Sequence, residues 1–338
     1  MVTCIKPEKR TYLNFGGAIM KSIKKLLAML MVVTLISSLF TIPTFAASSV
    51  ITESHFSTVL NRNMNYNVYL PPSYSTDNTK KYPVMYLLHG MGGSYSNWKD
   101  MGMQSIVDRA GGKEMVIIMP DGLNDAFYVD TYKAGIKWDT YFEQEFMPYV
   151  EAKFRIDTAN GKNRAIAGLS MGGFGAAYHG FKYPDKFSSA YSMSGALEVT
   201  GNLISVVNKN KYPAFAMECG TEDSLVWQMN VSFHNKLQQA GVPHEYITRP
   251  GSHSVEFWNA CLPKAVVFAS KYFVDVSSSP KKGDANKDGN VDALDFAAIK
   301  TALLKQSFSE IDITAADMNN DNSIDALDLA LLKAELLK

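Results

Sequence analysis

"RAIAGLSMGGFGAAYHGF", residues 164–181, is a short apolar run that breaks at Gly-Leu-Ser-Met-Gly-Gly and continues as an alanine-rich stretch. A strand that ends in a tight turn and feeds straight into a helix fits this pattern. Ser170 sits at the turn, and Gly168 and Gly172 leave room where a larger side chain would clash. Such a turn exposes the serine hydroxyl and aims the N-terminus of the following helix at it. A Gly-x-Ser-x-Gly string alone is weak, arising by chance in about one chain in ten of this length. The surrounding sequence must therefore decide what Ser170 does.

Outward from this stretch, strand-like runs alternate with helical patterns. Strands are predicted at 66–71, 84–89, 115–120, 164–168, 188–195, 214–220 and 244–249. Several are continuously apolar, as strands covered on both faces must be. Helices are predicted near 138–153, 171–182, 224–240 and 254–272. The alternation implies an α/β class with a doubly wound, mostly parallel sheet and helices on both faces.

The chain has 338 residues, 46% hydrophobic, with 33 basic and 33 acidic side chains. That suits one large domain and a smaller one. A balanced charge argues against a nucleic-acid partner, because phosphate binding needs a basic excess. Near the N-terminus Lys21, Lys24 and Lys25 precede "LLAMLMVVTLISSLF" and the small-residue segment "TIPTFAAS", which reads as an export signal cleaved after Ala46. A membrane anchor is the alternative, since the apolar stretch approaches a span in length. Met20 opens a normal signal, "MKSIKKLLAML", and is the expected start. Cys4 would leave with the leader. Cys219 and Cys261 then form one disulfide or remain two buried thiols.

A serine nucleophile needs a base. His55 lies before the core strands, His179 and His234 fall inside helices, and His244 opens a strand. His253, in "RPGSHSVEFW", occupies a loop after the last strand and just before a helix, on the same sheet edge as Ser170. An acid to orient it is expected between the two, in the order Ser…Asp…His. "AFAMECGTEDSLVW" supplies Asp223, with Glu222 as the alternative; Glu218 falls within the strand. The tetrahedral oxyanion needs two backbone donors. The amide of Met171 follows the nucleophile, and the amide of Met91 in "YLLHGMGGSYSNW" (86–98) is the expected second. His89 is read as structural, holding that loop.

"YNVYLPPSY…KKYPVMYLLHGMGGSYSNW", "MPDGLNDAFYVD", "AIAGLSMGGFGA", "CGTEDSL" and "GSHSVEFW", in this order, resemble the esterase D-like group of α/β hydrolases. That group includes the family-one carbohydrate esterases, both feruloyl and acetylxylan esterases. The resemblance spans roughly residues 55–273. It implies Ser170, Asp223 and His253 as a catalytic triad, with the Met91 and Met171 amides as the oxyanion hole and no catalytic cofactor. S-formylglutathione hydrolases and mycolyltransferases share the group. Export argues against the first, and no long-acyl groove is suggested for the second. Of the aromatics near the expected rim (Tyr95, Trp98, Phe127, Tyr128, Tyr132, Trp138, Trp227 and Trp258), Trp98, Phe127 and Tyr128 are the expected substrate-binding residues.

After "VSSSPKKG" (276–283) the chain repeats at an offset of 33 residues. Asp284, Asn286, Asp288, Asn290, Asp292 and Asp295 occupy positions 1, 3, 5, 7, 9 and 12 of a calcium loop, with Gly289 at position 6. Asp317, Asn319, Asp321, Ser323, Asp325 and Asp328 match them in the second copy. Asn322 stands at position 6, where Asn tolerates the left-handed backbone. Each loop leads into one helix without the entering helix of an EF-hand. The pair resembles a type I dockerin, which implies two structural Ca2+ ions and a cohesin partner on a cellulosome scaffold. Ala293, Leu294 and Lys300, with Ala326, Leu327 and Lys333, are the cohesin-contacting residues the resemblance implies, and the symmetry suggests that either repeat docks.

The expected organisation is a leader and signal at 1–46, a hydrolase domain at 47–275, a linker at 276–282 and a dockerin at 283–338. The expected function is that of a secreted, scaffold-tethered esterase removing feruloyl groups, or acetyl groups, from plant cell-wall xylan. A non-catalytic carbohydrate-binding module and a peptidase are the alternatives; the complete Ser, Asp and His set argues against the first. No nucleic-acid partner and no stable membrane anchor are expected.

Overall fold

The structure, a computed structural model, describes residues 46–157, 163–200, 203–274, 282–286 and 290–337. All of the expected leader but Ala46 and nearly all of the linker lie outside these residues, as do Asp288 and Gly289. Eight strands form one sheet: β1 (Ser49–Ser57), β2 (Arg62–Leu70), β3 (Val84–Leu88), β4 (Val116–Pro120), β5 (Arg164–Leu169), β6 (Ser189–Met193), β7 (Ala214–Gly220) and β8 (Glu245–Arg249). Their spatial order is β1-β2-β4-β3-β5-β6-β7-β8. The first two strands run antiparallel to their neighbours and the remaining six are parallel.

The period of two along each strand divides the interior. Val84, Tyr86 and Leu88 face one core while Met85 and Leu87 face the other, and β4 divides in the same way. Helix α1 (Met103–Ala110) lies on the second face. The helical segment α2 (residues 138–153), α3 (Met171–Lys182) and α4 (Trp227–Gln239) cover the first, and α5 (Val255–Tyr272) joins α1 on the second. Within α2 the turn Phe142–Phe146 is a π-helix, which turns Glu145 toward the β1–β2 hairpin. There Glu145 accepts from the Ser57 hydroxyl at 2.7 Å and the Thr58 amide at 2.7 Å.

Two elements escape sequence patterning. β1 is an edge strand, half exposed along most of its length and paired only with β2, so it carries no continuous apolar run. α1 is eight residues long and buries only Met103 and Val107. Cys219 and Cys261 are separate, buried free thiols; burial pushes the Cys219 thiol up to about 12. No described helix is long and apolar enough to cross a membrane.

The C-terminal repeats form helices α6 (Ala293–Lys305) and α7 (Ala326–Leu336) around their own small core of Ala285, Ile299, Ala302, Ile311, Ala316 and Leu332.

Candidate functional site

Parallel strands send their carboxyl ends to one edge, and the loops after β3, β4, β5, β7 and β8 gather there. Ser170, between β5 and α3, takes φ 53° and ψ −115°. A non-glycine residue held this way costs on the order of 1–3 kcal/mol. Close backbone approach imposes it: a Cβ on Gly168 would stand 2.3 Å from the Gly172 carbonyl oxygen, and one on Gly172 would stand 2.4 Å from the Leu88 carbonyl oxygen. The Ser170 backbone is secured on both sides. Its amide donates to Met193 O at 2.9 Å, and its carbonyl accepts from Ala196 N at 3.0 Å and Phe174 N at 3.1 Å.

His253 Nε2 stands 3.0 Å from Ser170 Oγ, and His253 Nδ1 stands 2.7 Å from Asp223 Oδ2. Asp223 is fully buried, and its Oδ1 accepts from the amides of Leu225 and Val226, each at 3.2 Å. A buried carboxylate at Nδ1 selects the tautomer that carries its proton there. The Nε2 lone pair then faces the serine hydroxyl, which is the arrangement that activates an oxygen nucleophile. Glu222, the alternative acid, is exposed and makes no bond to His253. Trp258 meets the His253 ring edge to face at 5.0 Å.

The loop after β3 passes beside the serine: a Cβ on Gly90 would lie 3.5 Å from Ser170 Cβ. A tight turn closes with Gly93 N donating to Gly90 O at 3.1 Å, and Gly92 N donates to Asn124 O at 2.9 Å. Among the described residues no acceptor is recorded for the Met91 amide, and the Met171 amide opens α3 with no carbonyl one turn before it. His89 is buried and braces this loop. Its Nδ1 donates to Gly90 O at 2.8 Å and its Nε2 accepts from Gly122 N at 2.7 Å. Burial depresses its pKa, which keeps this neutral bonding pattern intact.

The structure corrects the expected substrate-binding aromatics. Trp98 and Tyr128 are 1% and 0% exposed, and Phe127 is 4% exposed, so none presents a face to a ligand. Trp98 Nε1 donates to Leu88 O at 3.0 Å, and the Tyr128 hydroxyl donates to His89 O at 2.7 Å. Both fasten the loop that carries Met91. Among the described residues, exposed apolar side chains at this edge include Met91 and, within two residues of Asp223 and His253 respectively, Leu225 and Val255. Their signal was available in the sequence: apolar residues in two loops and at the first position of a helix, where polar residues ordinarily stand.

Asp139, Glu143 and His179 place ligand-type atoms within 4.8 Å of one another. Lys182 bonds Asp139 and Lys186 reaches Glu143 at 2.6 Å, so the carboxylates already hold cations. His179 Nε2 donates to Tyr128 O at 2.9 Å. The cluster ties α2 and α3 to the loop after β4.

In the repeats, Asp295 and Asp328 are fully buried carboxylates. Asp295 accepts from the amides of Asn286 and Asp292, and Asp328 from those of Met318, Asn319 and Asp325. No lysine or arginine neutralises either among the described residues. Asp292 and Asp325 cap α6 and α7. Asn322 has φ 64°, the conformation its loop position requires. Asp284 and Asp317 are also nearly buried, while Asn319, Asp321 and Ser323 lie in the open loop. Asn290 is the remaining described position of the first loop. Oxygen-bearing side chains at these loop positions are the ligand type that a hard divalent cation takes. Ala293, Leu294, Lys300, Ala326, Leu327 and Lys333 are all exposed.

Residues 57–269 match the Esterase family, and residues 282–337 match the dockerin type I domain. A ferulic acid esterase of known structure superposes with TM-score 0.60 at 32% identity, covering 67% of this chain and 99% of that one. An esterase of Mycobacterium tuberculosis is 40% identical over 136 residues, 39% of this chain and 29% of the relative, so the chain spans under a third of that curated protein. An acetyl esterase of Caldicellulosiruptor saccharolyticus is 27% identical over 226 residues, 56% of this chain and 83% of the relative. The ferulic acid esterase of Anaeromyces mucronatus, at 23% identity and TM-score 0.55, covers 68% of this chain and 93% of its own and shares the fold. The sheet order, the strained serine turn and both sets of matches converge: the chain belongs to the Esterase family and carries a type I dockerin domain, a kind of domain that generally binds calcium.

Proposed function

We propose that this protein is an exported serine carboxylic-ester hydrolase that removes feruloyl groups from plant cell-wall xylan while docked on a cohesin-bearing scaffold. The hydrogen-bonded line from Asp223 through His253 to Ser170, ending on a serine at φ 53°, carries the reading. Ser170 Oγ adds to the ester carbonyl carbon as its proton passes to His253 Nε2. The negative oxygen settles on the amides of Met91 and Met171. As the carbon–alkoxy bond breaks, His253 returns the proton to the departing sugar hydroxyl. Water repeats the sequence on the acyl-enzyme: His253 takes its proton, the hydroxide adds to the carbonyl, and Ser170 leaves with the proton restored. Asp223 holds the imidazolium through Nδ1.

Met91, Leu225 and Val255 offer an apolar rim for the acyl group. The likeness to a ferulic acid esterase at 32% identity supports a feruloyl group, and the relative described as an acetyl esterase supports acetyl as the second reading. The dockerin match supports extracellular assembly with a cohesin and two bound Ca2+ ions, one per loop. Initial rates on methyl ferulate and on acetylated xylan separate the two acyl readings. Ser170→Ala should lower either rate by about a millionfold while leaving cohesin capture unchanged. Comparable ester cleavage by the variant would sink the mechanism.

A further inference from the structure

The loop after β4, "DGLNDAFYVD" (121–130), holds four non-glycine residues in the left-handed region: Leu123 at φ 55°, Asn124 at 56°, Phe127 at 50° and Tyr128 at 59°. Backbone strain of this kind gathers at ligand clamps and persists only where the surroundings enforce it. Here Asn124 O takes the amide of Gly92, and Tyr128 hydroxyl and carbonyl are held by His89 and His179. The loop is therefore built to present something. What it presents is one wall of a cleft of about 470 Å³ lined by Arg62, Ser94, Asp121, Asn124, Lys133 and Ile136. Gly93 also lines it. Since Gly93 closes the turn that begins at Gly90 beside Ser170, the cleft opens within one tight turn of the nucleophile.

Its chemistry is that of a neutral polyol site. Both cationic and anionic side chains are present, and Lys133 is already paired with Asp125 at 2.5 Å, so no charge of one sign prevails. The Arg62 guanidinium and the Asn124 carboxamide supply several donors and an acceptor, and neither side chain has a recorded partner among the described residues. Tyr132, next in the chain to the lining residue Lys133, is 45% exposed and rests on buried Phe127 with ring centroids 4.4 Å apart. A fixed, exposed aromatic ring beside mixed donors and acceptors is what a pyranose or furanose needs, with its C–H face on the ring and its hydroxyls on the polar groups. An acyl chain or a phenolic ring would make no use of those polar groups.

We propose that this cleft is a sugar subsite that holds the neutral polysaccharide flanking the scissile ester, with Tyr132 as its platform and Arg62 and Asn124 as its hydroxyl partners. The assignment rests on the ester-hydrolase reading, and its test is independent of which acyl group is removed. Full-length Ser170→Ala protein would be titrated calorimetrically with an unesterified arabinoxylo-oligosaccharide. Tyr132→Ala and Arg62→Ala, each added to that background, should weaken binding by about fivefold, and Tyr132→Phe should restore it. With Ser170 present, the ratio of kcat/KM on an acylated oligosaccharide to kcat/KM on the matching methyl ester should fall by the same factor. Equal affinity in all variants, no affinity in the parent, or an unchanged ratio overturns the subsite. If the wild-type enzyme cleaves no ester at all, the hydrolase reading falls, and the titration still decides the cleft.

Discussion

At Ser170 the chain accepts an unfavourable backbone conformation because three elements converge on two glycines. β5, α3 and β3 approach so closely that the missing Cβ atoms of Gly168 and Gly172 occupy no space. Gly172→Ala would place a methyl 2.4 Å from the Leu88 carbonyl oxygen, and that oxygen is also the acceptor for Trp98. Backbone, rather than a flexible side chain, would have to yield. We expect a loss of about 1–3 kcal/mol, the range for overpacking a filled interior. It should appear as a lower thermal midpoint and a fall in kcat larger than the change in KM, since the serine and the Met171 amide beside it move with the turn. A variant as stable and active as the parent would show that the turn has slack which the close contacts deny.

Among elements, the sheet's later strands are joined to α5 through one buried carboxylate. Glu218 on β7 accepts from Arg249 Nε of β8 at 2.6 Å, from Lys264 Nζ of α5 at 2.6 Å and from the Tyr191 hydroxyl of β6 at 2.8 Å. Burial alone would raise its pKa; the bonds from Lys264, Arg249 and Tyr191 together outweigh burial and hold it below the usual carboxylate range. A carboxylate depressed in the folded state binds its proton more readily when unfolded. Its stabilisation is thus complete above the unfolded value of about 4.3 and fades as pH falls through the folded one. Urea midpoints should decline below about pH 4 in the wild type. Glu218→Gln should be destabilised by about 3 kcal/mol at neutral pH, because two cations lose their partner, and its decline in acid should be shallower. Parallel pH curves for the two proteins would remove Glu218 from the account. The same scale shows what patterning can reach. β7 is legible at residues 214–220 because its run is apolar but for Glu218, as suits a strand covered on both faces. β1 is not, because an edge strand with one neighbour needs no such run. At the site, the positions of Ser170, Asp223 and His253 follow from strand ends and chain order, both of which are one-dimensional. Trp98 and Tyr128 do not, since an aromatic that braces a loop from inside and one that stacks on a ligand have the same letter and the same neighbours.

For the whole molecule the repeats pose a different energetic problem from the hydrolase core. Their own core contains six buried residues, while Asp284, Asp295, Asp317 and Asp328 bring nearly buried negative charge into it. A unit of this size has little apolar burial to offset the desolvation of such carboxylates, so a bound cation would supply much of its stability. Two occupied calcium sites would each add about 2.7–4.1 kcal/mol at a hundred to a thousand times the dissociation constant. The Asp223–His253–Ser170 line contains no such cluster and needs no metal in the proposed reaction. Chelation of the full-length protein should therefore lower one calorimetric transition and abolish cohesin capture, while ester hydrolysis below that temperature stays within about twofold. Restoring millimolar Ca2+ should reverse both losses. Replacing Asp328 by Ala should imitate chelation in the second loop alone, and if each repeat docks independently the first should still capture cohesin. Persistence of both the transition and capture in excess chelator would show that apolar packing, and not calcium, holds the repeats together. A parallel loss of hydrolysis would show that the metal also supports the catalytic domain.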